Sequence, residues 1–345
     1  MIPPSPATAP MADLAYDDFD VVVRSGVTLD RNLSDRPFPW MMSHDQAPDS
    51  LDKLRSAAEF IGMRAYRAGE LGQDGRAALA ERDMYARSFL IDDDSVLAIS
   101  PSEAVWLALN EREHCSIRSA LPGLSLQDAW TLASRTDDLL GARATWAFDP
   151  DAGYLCTDAE RCGTGLSAQV SLHLPALTMA GYAEAAFRRA MESGFVVTGA
   201  YASTGPSAGA LYGLALPAVY REPEALALER LSKAAKALAE YERRARADLA
   251  TRAARELVDA VGRAAGVAAG ARLVSRDEAA DLVSNLRLGL CAGVLEGASL
   301  RDVTELWVAI RIERGGPDIS DSAARARLLR TLAGRMRITK GYLDV

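Results

Sequence analysis

Strand-like and helix-like patterns of hydrophobic residues divide the chain into two parts. Before residue 222, short stretches rich in β-branched and apolar residues predict strands separated by turns. These stretches are FDVVVRSGVTLDRNL (19–33), SVLAIS (95–100), EAVWLALN (103–110), ATWAFDP (144–150), GYLCTDA (153–159), GFVVTGAYASTG (194–205) and GALYGLALPAVY (209–220). The first stretch carries a glycine break. The pattern indicates an antiparallel sheet in an α+β domain.

Helices are predicted between these strands. Apolar residues repeat at helical spacing within 51–90, and Ser125 and Asp128 have the spacing of a capping box that opens a helix to about residue 140. The glycine-rich stretch CGTGLSAQVSLHLPAL (162–177) predicts a tight turn that leads into a helix.

The part after residue 222 reads as helical throughout. From Glu224 to about Ala268, leucines recur among charged residues and predict one long helix or two with an apolar face. Two further capping-box patterns, Ser275 with Glu278 and Ser299 with Asp302, predict two more helix starts. We therefore predict three segments. They are a disordered tail at 1–16, an α+β domain at 17–222 and a helical domain at 223–345.

Composition excludes several functional classes. The 345 residues contain 39 Lys and Arg against 47 Asp and Glu, a net charge of −8, which argues against nucleic acid or an anionic membrane as partner. No apolar run is long enough to span a bilayer, and the N-terminal stretch lacks the pattern of a secretory signal. The four cysteines form no CxxC pair and there are three histidines, so no metal site is expected. These features predict a cytoplasmic protein.

Several motifs resemble a known family. SGVTLDRN (25–32) followed by Phe38-Pro39 resembles its S-R-x-R-x-x-R-N start, and NEREH (110–114) resembles its N-E-E-D-H stretch. GYLCTDAERCGTGLSA (153–168) resembles G-Y-L-x-x-C-P-T-N-x-G-T-G-L-R-A, and LHLPAL, VVTGAY and SNLRLGLCAGVL follow in the family's order. The chain thus resembles the ATP:guanido phosphotransferases, and most of all the bacterial protein-arginine kinases. The resemblance implies a guanido-kinase α+β domain followed by a helical dimerisation domain.

The resemblance also implies a set of arginines that hold the phosphates of Mg-ATP. Residues without a positive charge stand at the matching positions, which are Gly26, Thr28, Ser116, Ser167 and Thr198; Arg31 is retained. A hydrogen bond to a charged group contributes roughly 1.5–3 kcal/mol, so five lost contacts remove at most roughly 7–15 kcal/mol. Because 100 µM affinity corresponds to only about 5.5 kcal/mol, the pattern predicts that nucleotide binding is lost and that no cofactor is held.

The positions that correspond to the family's substrate-binding and catalytic residues differ as well. Arg112 stands where the family has the carboxylate that orients the guanidinium and accepts its proton. Asp158 stands at the reactive cysteine and Ser203 at a second substrate-binding glutamate, while Cys156 lies two residues before Asp158. A positive charge at residue 112 repels an arginine substrate. The sequence therefore predicts a pseudokinase.

Three hypotheses follow. The first is a non-catalytic scaffold or regulator, which forms a homodimer or a heterodimer with an active protein-arginine kinase. The second is a remodelled phosphotransferase that uses Mg-ATP together with Asp158, Glu111 and Glu113. The third is a phosphoarginine-binding module, because the family's R-D-x-x-R-A pocket motif leaves a remnant in the helical domain. The matching positions are Asp321, Ser322 and Arg325.

Further residues have a structural and a functional interpretation. The turn Gly163-Thr164-Gly165 either cradles a phosphate with its backbone N–H groups or serves as a tight turn, and the second is favoured. His114 and His173 are predicted to be hydrogen-bonded structural residues. The arginines of the long helix are predicted to pair with nearby acidic residues, with partner binding as the alternative. They are Arg243, Arg244, Arg246, Arg252 and Arg255.

Overall fold

The structure is a computed structural model, and it describes residues 16–42, 47–72, 75, 95–199, 208–217, 222–310 and 318–342. The strands are β1 Val22–Arg31, β2 Arg64–Arg67, β3 Val96–Ile99, β4 Val105–Leu109, β5 Cys115–Pro122, β6 Phe148–Asp149, β7 Gly153–Tyr154, β8 Leu166–His173, β9 Val196–Thr198, β10 Leu211–Ala215, β11 Leu295–Glu296 and β12 Arg337–Ile338. The α-helices are α1 Ala47–Phe60, α2 Leu126–Gly141, α3 Pro175–Met179, α4 Ala183–Glu192, α5 Glu224–Arg252, α6 Ala254–Gly270, α7 Arg276–Cys291, α8 Leu300–Ala309 and α9 Asp318–Ala333. The mixture confirms the predicted α+β class.

The chain folds into two compact units, each assembled from separate stretches. The first contains Arg24–Val170 and Ala215–Lys233 together with the residues up to Asp17. The second contains Asp18–Val23, Ser171–Leu214 and Ala234–Val345. The units differ from the predicted contiguous ranges because β1, β8 and β10 each contribute residues to both.

In the first unit, the strands lie in the order β2-β3-β4-β5-β1-β8. The neighbouring pairs from β2 to β1 are antiparallel, with Thr28 opposite Arg118 and Asp30 opposite Ser116 where β1 meets β5. One side of β1 packs into the core through Val27 and Leu29, which are 1% exposed. Because side chains alternate along a strand, the residues between them face the other way, and these build the site described below.

Two stretches that were predicted to be helical each contain a strand in the structure. Helix α1 ends at Phe60, and Gly62 adopts a positive φ of 85° that reverses the chain into β2, where a helix was predicted to continue. Residues 76–90 of that predicted helix lie outside the described residues.

The stretch after the glycine-rich turn is the second correction. Leu166, Ala168, Val170 and Leu172 of β8 are buried and the residues between them are partly exposed. This period of two is that of a strand, and the helix α3 begins only at Pro175. The turn therefore precedes a strand, so it has no helix N-terminus that would favour an anion.

The three predicted helix starts are confirmed, but the hydrogen bonding at their N-caps differs from one helix to the next. Ser299 and Asp302 form a full capping box, and Ser275 accepts a hydrogen bond from the Glu278 N–H. Ser125 occupies the N-cap of α2 but donates its hydroxyl to Pro122 O at 2.8 Å, so the predicted box with Asp128 is not formed. The long helical stretch is two helices, because Ala253 leaves the helical conformation between α5 and α6.

A fully buried arginine organises the second unit. Arg287 donates to the carbonyl oxygens of Phe19 and Asp20 and to His173 Nδ1 at 3.0 Å. Because an arginine only donates, His173 Nδ1 accepts, and Nε2–H donates to Ser284 Oγ at 2.9 Å. Burial and the Arg287 charge hold the pKa of His173 well below its ordinary value. His173 is thus a neutral structural residue, as predicted.

The described part of the chain holds no helix that is both long and apolar enough to cross a bilayer.

Candidate functional site

The first unit contains a cleft of about 370 Å³ on the side of β1, β5 and β8 that faces away from the core. Alternate residues of β1 line it, from Arg24 through Gly26 and Thr28 to Asp30. Alternate residues of β5 do the same, from Ser116 through Arg118 to Ala120. Strand pairing between β1 and β5 sets this register.

The structure brings most of the predicted nucleotide positions together here. Gly26, Thr28, Ser116 and Ser167 all line the cleft. Ser116 Oγ donates to Asp30 Oδ1 at 2.6 Å, and Ser167 Oγ accepts from Arg161 Nη2 at 2.9 Å. Thr198 lies in β9 of the second unit and is exposed.

Arg31, the retained arginine, is a buried structural residue. Only 2% of it is exposed, and its Nε and Nη2 donate to the Asp137 carboxylate at 2.6–3.1 Å. Its Nη1 donates to Asp30 O and Thr164 O, and its guanidinium stacks over the Tyr154 ring at 3.6 Å. With four of its five N–H groups engaged inside the fold and 2% of its surface exposed, Arg31 is poorly placed to bind a phosphate.

The Gly163-Thr164-Gly165 turn supports Arg31. Gly165 has a φ of 63°, and a Cβ placed there would lie 2.5 Å from Asp30 O and 2.8 Å from Arg31 Nη1. Gly165 O also accepts from the Asp30 N–H at 2.9 Å. These contacts explain the glycine requirement by close packing and agree with the interpretation as a tight turn.

The cleft nevertheless holds arginines that the motif comparison missed. They are Arg24, Arg118 and Arg161, in addition to Arg112. Strand alternation could have revealed two of them, since Arg24 lies two residues before Gly26 and Arg118 two residues after Ser116. Arg161 could not be found this way, because it reaches the cleft from the loop that follows β7.

Acidic residues neutralise two of these arginines. Arg118 Nη2 lies 2.8 Å from Glu111 Oε2, and Arg161 Nη2 lies 2.6 Å from Asp30 Oδ2. The lining contains four arginines and three carboxylates, one net positive charge, and Asp158 compensates that charge by pairing with Arg112. The predicted absence of cations at the five family positions therefore describes those positions and not the cleft as a whole.

The predicted substrate side contains a third ion pair. Arg112 Nη2 pairs with Asp158 Oδ2, and both side chains are partly exposed, at 57% and 37%. Each partner stands at a position where the family resemblance implies a substrate-binding or catalytic residue. The third such residue, Ser203, lies outside the described residues.

Glu113 holds the Asp158 loop in place. Its carboxylate, 1% exposed, accepts hydrogen bonds from Asn32 Nδ2 at 2.5 Å and from the N–H and hydroxyl of Thr157 at 2.9–3.1 Å. Thr157 Oγ1 also donates to Arg112 O at 2.9 Å. Since these contacts occupy the carboxylate, Glu113 is a positioning residue and a poor base.

His114 and Cys156, next to this loop, are not reactive groups. Burial lowers the pKa of His114 to about 4, and its Nδ1 lies 3.3 Å from the Leu33 N–H, so the ring is neutral and structural as predicted. Burial, with the nearby Asp30 and Glu113 carboxylates, raises the pKa of the Cys156 thiol to about 12. A thiol of that pKa holds almost no thiolate at neutral pH.

The remnant of the phosphoarginine motif lies on α9. Arg325 is 4% exposed, and its Nε donates to Val274 O at 3.1 Å while Nη2 donates to Ser322 Oγ at 3.1 Å. Asp321 beside it is also buried, at 9% exposure. The guanidinium thus attaches α9 to the segment before α7. Phosphoarginine binding through these residues stays a prediction.

Among the described residues, no group of three or more His, Cys, Asp or Glu side chains is placed to hold a metal ion.

Comparison with known proteins gives the family. Residues 50–245 match the family described as ATP:guanido phosphotransferase, C-terminal catalytic domain, and residues 254–314 match the Protein-arginine kinase McsB C-terminal domain. A protein-arginine kinase of Symbiobacterium thermophilum is 34% identical over 305 residues, which cover 85% of each chain. One from Moorella thermoacetica is 32% identical, covering 85% of this chain and 86% of its own.

Solved structures agree on the fold. A lombricine kinase superposes with a TM-score of 0.56 at 15% identity, over 70% of this chain and 71% of its own. The duplicated taurocyamine kinase of Schistosoma mansoni superposes with a TM-score of 0.55 at 19% identity, over 67% of this chain and 34% of that longer one. From these sequence matches and this shared fold, we conclude that the chain belongs to the ATP:guanido phosphotransferase family, in the group that contains the protein-arginine kinases.

Proposed function

We propose that this chain is a pseudokinase of the protein-arginine kinase group, which acts as a scaffold or regulator. The observation that carries the proposal is the Arg112–Asp158 ion pair. It places a guanidinium of the protein itself where the family resemblance implies the carboxylate that orients a substrate guanidinium. A second guanidinium brought to the same place meets charge repulsion from Arg112 instead of a base.

The nucleotide side of the cleft supports the same proposal. Phosphoryl transfer depends on cations that are free to stabilise three phosphate groups. Here Arg161 and Arg118 are paired with Asp30 and Glu111. An incoming phosphate has to compete with these carboxylates for each guanidinium, and it is repelled by them as well. The cleft is therefore a poor site for Mg-ATP.

Titration of the purified protein with Mg-ATP and with Mg-ADP at low salt tests this proposal. We expect no binding heat at several hundred micromolar nucleotide, and no radiolabel transferred from ATP to an arginine-rich protein. The protein-arginine kinase of Symbiobacterium thermophilum, treated identically, serves as the positive control. One-site binding of nucleotide followed by transfer would refute the proposal.

A variant of the cleft distinguishes two possible causes of weak nucleotide binding. One is the neutralisation of Arg118 and Arg161 by carboxylates, and the other is the replacement of the family's arginines. In Asp30→Asn/Glu111→Gln, amides of the same shape replace two carboxylates while Arg118 and Arg161 remain. If neutralisation causes the weak binding, this variant will gain measurable affinity for Mg-ADP. Unchanged absence of binding would assign the defect to the five replaced positions alone.

A remodelled phosphotransferase is the second candidate, because Arg24, Arg118 and Arg161 line the cleft where the motif comparison indicated no cation. They supply positive charge from other positions of the same strands and loop. Of the carboxylates in this hypothesis, Asp158 and Glu111 are in ion pairs and Glu113 is hydrogen-bonded within the fold. Saturable nucleotide binding in the wild-type titration would favour this candidate.

We further propose that the chain dimerises through its second unit, with a second copy or with an active protein-arginine kinase. Val267, Leu273 and Leu328 expose 42%, 55% and 39% of their surface. Hydrogen bonds from α9 to the 271–274 segment hold the elements that carry them together. Exposed apolar side chains on adjacent elements are typical of subunit contacts.

Substitution of this surface provides the test. We expect Leu273→Asp/Leu328→Asp to convert a dimer to a monomer in light scattering after size-exclusion chromatography, because it places two charges in an apolar contact. Leu226→Asp, at an equally exposed leucine of α5, is the matched control and should leave the dimer intact. A wild-type chain that stays monomeric at all concentrations, alone and mixed with an active kinase, would refute the proposal.

A further inference from the structure

A second concave surface lies in the second unit, and it shares no lining residue with the cleft of the first unit. It is a groove of about 530 Å³ formed by α4, the C-terminal half of α5 and the turn after α3. Its floor is apolar and made largely of small residues, including Leu177, Ala186 and Ala245, which are 4–8% exposed. A volume in this range admits one or two large side chains of a partner.

The rim of the groove is basic. Arg189, Arg244 and Arg252 line it together with a single acidic residue, Asp248. With Glu240, which lies outside the lining and 3.7 Å from Arg244, this gives one net positive charge on one surface of a chain whose net charge is −8. The local charge is therefore opposite in sign to that of the protein, and it attracts an acidic ligand within about a Debye length of 10 Å.

The rim arginines differ from their neighbours on the same helix. Arg243 and Arg246 of α5 hold the Asp20 carboxylate at 2.5–3.1 Å, a long-range pairing that the sequence did not predict. Arg244 and Arg252 instead lie 3.7 Å and 4.0 Å from their acidic neighbours on the helix, and their side chains are 73% and 84% exposed. Ion pairs this long and exposed contribute little to stability, so a ligand can replace the acidic partner at a small cost in free energy.

Two tyrosines complete the rim. Tyr241 accepts a hydrogen bond from Arg189 Nη1 at 3.3 Å, and Tyr182 is 63% exposed. Tyrosine and arginine are the residue types that dominate the energetics of protein interfaces, since each offers a large apolar surface and a polar end. The combination of a small-residue floor with an Arg and Tyr rim is that of a peptide-binding surface.

We propose that this groove binds an acidic polypeptide segment that carries an apolar anchor. The anchor packs on the floor formed by Leu177, Ala186 and Ala245, and flanking carboxylates pair with Arg189, Arg244 and Arg252. The proposal does not depend on whether the cleft of the first unit binds nucleotide. Nucleic acid is disfavoured because Asp248 lies in the groove and the rest of the chain is acidic.

Fluorescence anisotropy with a defined probe tests the proposal. The probe is a fluorescein-labelled peptide, acetyl-EELEDLFEE-amide, and its neutral twin replaces each Glu and Asp by Gln and Asn. We expect saturable binding of the acidic peptide to the full chain, which weakens several-fold as salt rises from about 50 to about 300 mM. The neutral twin, and an acidic peptide with Leu and Phe replaced by Ser, should each bind at least about tenfold more weakly.

Charge-reversal variants locate the site. Arg244→Glu/Arg252→Glu should weaken binding at least about tenfold. The control Arg263→Glu/Arg337→Glu alters the net charge equally at two exposed arginines of the same unit, outside the groove, and should leave affinity within about twofold. Circular dichroism of both variants verifies that they are folded.

Three results would overturn the proposal. One is the absence of saturable peptide binding at 1 mM. Another is an equal loss of peptide affinity in the two double variants, which would indicate non-specific electrostatic attraction. The last is tighter binding of a single-stranded RNA oligonucleotide of the same charge, which would assign the groove to nucleic acid.

Discussion

Replacement of Asp137 by alanine will lower the free energy of unfolding by about 3–5 kcal/mol, because it leaves a buried arginine without its counter-charge. Arg31 and Asp137 are 2% and 7% exposed and joined by three hydrogen bonds between β1 and α2. An unpaired guanidinium in this place is poorly hydrated, since only 2% of Arg31 is exposed. The remaining contacts of Arg31, to Asp30 O and Thr164 O, do not neutralise its charge.

Urea denaturation followed by far-UV circular dichroism and tryptophan fluorescence measures this loss. Arg31→Met/Asp137→Leu removes both charges and fills the volume, so it should be much less destabilised than Asp137→Ala. Asp259→Ala, which removes one partner of the exposed Arg263 pair, is the surface control and should change stability by about 0.5 kcal/mol or less. A cost below about 1 kcal/mol for Asp137→Ala would contradict a structural role for Arg31.

The prediction also bears on function. Arg31 is the one arginine of the family signature that this chain retains at the positions compared, and retention alone would suggest a nucleotide contact. Its burial and hydrogen bonds indicate that the fold requires it instead. Retention of Arg31 for folding is therefore compatible with the proposed loss of phosphate-binding arginines.

Replacement of Arg287 by methionine will destabilise the protein by about 3 kcal/mol or more, because one buried ring nitrogen and two partly buried carbonyl oxygens lose the Arg287 donor. These are the carbonyl oxygens of Phe19 and Asp20 and Nδ1 of His173. Methionine approximately fills the volume, so the cost is attributable mainly to the unpaired acceptors and not to a cavity.

Thermal and urea unfolding of Arg287→Met and Arg287→Lys together test this assignment. Lysine keeps the positive charge, but it lacks the planar fork with which arginine reaches several acceptors. The Arg287→Lys variant should therefore also be less stable than the wild type. A second measurement is the NMR signal of His173, whose tautomer Arg287 fixes as Nε2–H. Wild-type-like stability of Arg287→Met would show that water satisfies the three acceptors, and the assignment would then be wrong.

The local pattern of apolar, β-branched and helix-breaking residues predicted much of the fold correctly. Alternation and β-branched residues identified β1, β3 and β4, and the absence of breakers identified α5 and α6. Errors arose where local signals were ambiguous. The stretch at 162–177 is apolar with small residues, and the strand β8 forms there because alternate side chains pack into a sheet that other segments supply. The capping box at Ser125 does not form, because the hydroxyl is oriented toward Pro122 O and makes no hydrogen bond to the start of the helix.

The amino-acid sequence was sufficient to establish the family, since membership is a property of residue identities at given places in a motif. The loss of positive charge at five positions of these motifs stays a prediction. The sequence does not show where the remaining arginines lie in space. An arginine interacts with groups within a few ångströms, and these groups are often distant along the chain. Folding brings Arg161 from a loop to Asp30 on β1, and Arg112 to Asp158 across 46 residues. It also turns Arg244 and Arg252 toward a groove while their neighbours on the same helix hold Asp20. These pairings depend on strand register and on helix face, which long-range packing decides. They determine whether an arginine is paired within the protein or is available to bind a partner.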